Sequence, residues 1–96
     1  MITITDRLWL WSGEGGSWHF FSIPENQADE LHIHRMSGPR RGFGSVRVEA
    51  RIGDVVWRTS VFPQKDGGFI LPVKAAVRRQ AGISAGDDVT VALDLL

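Results

Sequence analysis

The stretch from Val46 to Phe62, VRVEARIGDVVWRTSVF, constrains the chain more than any other part of it. With Gly53-Asp54 as a two-residue turn, the strands on either side pair so that Ile52 faces Val55, Ala50 faces Trp57, Val48 faces Thr59 and Val46 faces Val61. On the other face Glu49 lands opposite Arg58. One register thus separates apolar from charged side chains, with Val56 outside and Thr59 inside as the exceptions. A slip of one residue would turn every arginine of the first strand into the core. The chain is therefore expected to build around antiparallel strands.

The flanking sequence supplies more of them. ITITDRLWLW (Ile2 to Trp11) alternates Ile2, Ile4, Leu8 and Leu10 with Thr3, Thr5, Arg7, Trp9 and Trp11, which predicts one long strand. SGEGG (Ser12 to Gly16) then turns it into a second, aromatic strand over Ser17 to Ile23. Pro24 opens a short helix expected to end near residue 32, with Glu25 in its first turn and Ala28 and Leu31 on its apolar side. Ser37 to Gly42 reads as loop. Pro63 stops the hairpin, QKDGG (Gln64 to Gly68) turns the chain, and Phe69 to Leu71 forms a short strand. After Pro72, Val73, Ala76, Val77 and Ala81 recur at helical spacing, with Ala76 and Val77 expected to face the sheet. Gly82 is placed for a left-handed cap. Val89, Val91, Leu93 and Leu95 alternate in a terminal strand, and there is no internal repeat.

Four pieces are specific enough to compare with known families: WRTSVFP (Trp57 to Pro63), LPVKAAVRRQAGI (Leu71 to Ile83), AGDDVTV (Ala85 to Val91) and GFGSVRVE (Gly42 to Glu49). With PENQADEL and the early aromatics, they make nearly the whole chain resemble the bacterial domain of unknown function 1905 family. That resemblance implies a double-split β-barrel with no assigned activity, some relatives being joined to a domain linked to bacteriocin protection. Phe69 to Val91 is also similar to the core of AbrB-type swapped-hairpin regulators, which bind DNA as interleaved dimers. Those regulators supply half a barrel per chain, whereas this chain has strands enough to complete one. The expected fold is thus mainly β (α+β), a double-split barrel of about six strands with two short helices, in a single domain over 1–96.

Several functions lose support in the sequence itself. Eleven Lys and Arg balance eleven Asp and Glu, so the chain lacks the global positive field that draws proteins to phosphate backbones, and nucleic acid is not the expected partner. RGFGSVRV (Arg41 to Val48) imitates an RNA-recognition strand, but Ser45 and Val48 stand where aromatics are needed. Without cysteine there is no disulfide framework or thiolate metal site. No apolar run is long enough to span a bilayer, and a cytoplasmic location is expected. His32 and His34 would share a face only if extended, and with His19 elsewhere they lack a third ligand, so neither metal nor cofactor is expected. Ser45, Thr59 and Ser60 have no elbow or adjacent base. Asp87 and Asp88 fit turn chemistry.

The tryptophans at 9, 11, 18 and 57 are the better lead. They either fill the barrel ends or line a cleft bordered by cations, and such a cleft suits a planar or anionic ligand or a partner protein. The candidate ligand-binding residues are Trp9, Trp11, Trp57, Arg58, Lys74 and Arg78, with no catalytic residue assigned. The expected role is a non-enzymatic ligand- or protein-binding module, as a monomer or weak homodimer. Two alternatives stay open: an AbrB-like DNA-binding dimer using Arg40, Arg41 and Arg47, and a small enzyme with an unrecognised site.

Overall fold

A computed structural model describes residues 1–37 and 44–96. Arg40, Arg41, Gly42 and Phe43, on which the DNA-binding and RNA-strand readings leaned, lie outside the described residues. Among the described residues seven strands form one antiparallel sheet: β1 (Ile2–Arg7), β2 (Trp9–Gly13), β3 (Gly16–Ile23), β4 (Val46–Ile52), β5 (Val55–Pro63), β6 (Phe69–Pro72) and β7 (Asp88–Leu95). Their order across the sheet is β1-β7-β4-β5-β6-β3-β2. Two helices join them, α1 (Asp29–Ser37) and α2 (Ala75–Ala81).

The β4–β5 hairpin has the register that its sequence dictates, from Val46 opposite Val61 to Ile52 opposite Val55, with Glu49 opposite Arg58. Val46, Val48, Ala50, Ile52 and Val61 are buried, and their arginine neighbours stay out of the core. On its far side β4 pairs with β7, so Val91 and Leu93 extend the same buried face. Leu31 from α1 and Val77 from α2 close over the concave side of the curled sheet.

The first strand departs from expectation. The alternation of Ile2, Ile4 and Leu8 is real and all three are buried, but the strand breaks at Leu8. The Leu8 N–H donates to the Asp87 carbonyl (3.0 Å) and its own carbonyl accepts from the Gly86 N–H (2.8 Å), so the turn before β7 takes the backbone groups a strand partner would use. Upstream of that point β1 pairs with β7, and downstream β2 pairs with β3. The two ends of the sheet are thus consecutive in the chain, and Leu8 links them as the sheet curls round. The break yields seven strands rather than six and leaves Leu10 exposed instead of in the core.

Smaller differences have equally local causes. Pro24 is extended (φ −68°, ψ 157°) and precedes a 3₁₀ turn over Glu25–Gln27; α1 follows and runs past residue 32 to Ser37. Ala28 and Leu31 are buried as expected. In α2, Val77 faces the core but Ala76 is exposed, because the helix begins only at Ala75 and Val73 supplies the other buried position. Gly82 ends the helix at φ 67°, ψ 37°, and the N–H groups of Gly82 and Ile83 return to the carbonyls of Arg79 and Arg78. Asp87 does turn work: its Oδ2 accepts from the Ser84 N–H at 2.8 Å.

Candidate functional site

The shortest ladder between paired strands is that of β5 and β6, which share two residue pairs, Phe62–Ile70 and Pro63–Phe69. Pro72 explains why the pairing stops. Backbone N–H groups alternate sides along a strand, and the Val73 N–H bonds to the His19 carbonyl on β3 at 2.9 Å. Position 72 therefore faces β5, where proline has no N–H to give. From there the first half of β5 diverges, and the start of α2 fills one side of the wedge.

The resulting cleft has a volume of about 470 Å³. Trp57, Arg58 and Thr59 line it from β5, Ser17 and His19 from β3, and Lys74 and Arg78 from the α2 side, with Arg58 mostly exposed. Trp57 is half-buried, one face against the core cluster and the other on the cleft. Arg78 is held by a hydrogen bond from its Nη1 to the Val73 carbonyl (2.7 Å), which fixes its stem across the first turn of the helix. Arg58 Nε lies 3.4 Å from Glu49 Oε2. Among the described residues Lys74 and Arg78 take part in no salt bridge, and no carboxylate lines the cleft. Burial lowers the pKa of the His19 imidazole below its ordinary value, and the nearby Arg78 charge pushes it the same way. The cleft is thus a cationic wall facing an indole.

The six candidate residues divide between two surfaces. Trp57, Arg58, Lys74 and Arg78 meet in the cleft; Trp9 and Trp11 lie on the outer face of the β2–β3 hairpin, with Trp18 at the boundary. No tryptophan belongs to the buried core: Trp9 and Trp57 are half-buried, while Trp11 and Trp18 are 45% and 56% exposed. Trp57 packs against the core from one side, whereas Trp11 and Trp18 stand in solvent. His19 was missed as a candidate, although its place between Trp18 and Phe20 in an alternating strand puts it on the opposite face from both rings. His32 and His34 do not converge, because residues two apart on a helix point about 200° from each other. The His32 Nε2 instead donates to the Gly67 carbonyl at 2.6 Å, and the ring packs on Phe69 at 5.0 Å. Among the described residues no three His, Asp or Glu side chains gather as a metal site.

The family model for Domain of unknown function (DUF1905) matches residues 5–93. The chain belongs to this family. No curated protein matches the chain significantly. The DUF1905 match runs from Thr5 in β1 to Leu93 in β7 and so includes every residue of the cleft. Among the described residues, no helix of this DUF1905 domain is long and apolar enough to cross a membrane.

Proposed function

We propose that this domain is a non-enzymatic, cytoplasmic binding module of double-split-barrel type, and that the cleft between β5 and α2 takes a small anion carrying a flat ring. The observation that carries this reading is the lining: Lys74, Arg78, Arg58 and His19 line the same cleft as Trp57, with no carboxylate among the described lining residues. Cations there supply the attraction for a carboxylate or phosphate, and the indole supplies a stacking surface for the ring. A catalytic role finds less support, since among the described residues His19 makes no hydrogen bond to a serine or threonine that it would activate as a nucleophile.

Thermal shift tests the reading directly, because any ligand that binds only the folded state raises Tm by mass action. Phenyl phosphate, benzoate and a nucleoside monophosphate are expected to raise Tm, benzylamine is not, and Lys74→Ala/Arg78→Ala is expected to abolish the response. Absence of stabilisation by every aromatic anion, or an unchanged response in the double variant, would overturn the proposal. A DNA duplex in the same panel tests the AbrB-like alternative: a salt-dependent shift with the duplex alone would replace the small-anion reading with a nucleic-acid one.

A further inference from the structure

The outer face of β5, β6, β3 and β2 carries a second hollow, of about 570 Å³, with a chemistry opposite to that of the cleft. Cross-strand pairing lines up Trp11 with Trp18, Trp9 with Phe20, and Phe62 with Ile70, so that aromatic rows cross the sheet surface. Among the described residues no ionisable side chain lines this groove, and the one lining side chain outside the aromatic and aliphatic set is the amide of Gln64.

The rings are held in place. Trp9 donates its indole N–H to Ser22 Oγ at 2.8 Å and packs on Phe20 with ring centres 5.2 Å apart. Trp11 lies down over Gly13, where any Cβ would collide with the six-membered part of the indole. This close approach presents the Trp11 ring along the sheet rather than standing off it. Among the described residues, the indole N–H groups of Trp11 and Trp18 donate to nothing within the protein.

We propose that this groove binds a proline-rich segment of a partner protein in the polyproline II conformation. The complementarity is of charge and of hydrogen bonding. A neutral groove accepts an uncharged segment without stripping water from an unpaired charge. Flat aromatic faces pack proline rings, and a polyproline segment arrives already ordered, so little conformational entropy is lost. The free polar groups of the exposed indoles are donors. A proline backbone offers carbonyl acceptors and no N–H, so the two sets match without stranding either. An extended peptide with its own N–H groups would instead add to the free edge of β2, and a small quaternary ammonium would use ring faces but leave the indole donors idle.

The test is a titration of the ¹⁵N-labelled protein with an uncharged, end-blocked decaproline peptide, followed by NMR. The indole N–H signals of Trp11 and Trp18 are expected to shift and saturate, a Gly-Ser peptide of equal length leaving them in place. Trp11→Ala and Gly13→Ala should each weaken binding about tenfold or more. Arg78→Ala should leave it unchanged, which separates this groove from the cationic cleft. Absence of a saturable indole shift, an equal response to the Gly-Ser peptide, shifts confined to the β2 edge amides, or displacement of decaproline by tetramethylammonium would each overturn the proposal.

Discussion

The β4–β5 and β2–β3 hairpins obey the same alternation rule and come to opposite ends. Each turns through two residues, Gly53-Asp54 in one and Glu14-Gly15 in the other. β4 lies between β5 and β7, so the inward set of its hairpin meets a third strand and is sealed. β2 is the last strand of the sheet, and only the far end of β3, at Phe21 and Ile23, reaches the core. Period-two alternation therefore tells which residues share a face. Whether anything covers that face depends on strand order, which is a non-local property.

The strongest way to break this contrast is to put a charge on the sealed face. Val48 is fully buried. Val48→Asp must hold its carboxyl neutral there, and at pH 7 that alone costs about 4 kcal/mol, because the ordinary Asp pKa lies about 3 units lower. Set against a total stability of roughly 5–15 kcal/mol, the variant is expected to lose its cooperative unfolding transition in circular dichroism. Val48→Ala, at about 2 kcal/mol, keeps the effect measurable if the aspartate does not fold.

A finer cut lies within β3. Phe21 is fully buried and Trp18 is 56% exposed, three residues away on the same strand. Phe21→Ala should cost about 3–5 kcal/mol in urea denaturation, whereas Trp18→Ala should stay within about 1 kcal/mol. Equal losses would mean that the β2–β3 hairpin is as much part of the core as β4–β5, and that its aromatic face serves stability rather than binding.

These contrasts also explain what was legible in the sequence. The register of β4–β5, the cap at Gly82, the turn at Asp87 and the terminal strand all depend on neighbours a few residues away, so local pattern sufficed. The break at Leu8 did not show, because its cause is the turn at Gly86 and Asp87, nearly eighty residues distant, which takes over the Leu8 backbone groups. Trp57, Arg58, Lys74 and Arg78 were singled out from composition and spacing. That they meet follows from Pro72 ending the β5–β6 ladder, while Trp9 and Trp11 stay apart because they lie on the outer face of the β2–β3 hairpin. In the sequence His19 reads only as a stray metal ligand, since its place in the cleft arises from neighbours on α2.

His19 offers a smaller effect with a definite sign. Its pKa is lowered in the folded protein, first by burial and then by Arg78, so the unfolded chain binds more protons as pH falls. The stability that neutral His19 contributes is present above the ordinary histidine pKa of about 6.5 and declines as pH falls through the depressed value. Arg78→Ala should move the His19 titration, followed by NMR of the ring protons, part of the way back up; the burial contribution stays. A bound anion should also raise it, so affinity for the anion should increase toward acid pH. No movement in either case would separate His19 from the cationic cleft.

The smallest expected effect belongs to the pair that the hairpin register made most conspicuous. Glu49 and Arg58 face each other across β4 and β5 and approach to 3.4 Å, but the Arg58 side chain is 67% exposed. Water screens such a pair, and ordering two long side chains offsets most of the attraction, so Arg58→Ala should change stability by no more than about 0.5 kcal/mol. Binding is where the residue can matter. At the rim of the cleft an arginine acts mainly on encounter with an anion, so the substitution should slow association and flatten its salt dependence more than it alters the dissociation rate. A stopped-flow measurement at two ionic strengths reads both rates. A changed dissociation rate with unchanged association would move Arg58 from the rim to the centre of the anion contact, and would make its pairing with Glu49 a competitor for the ligand.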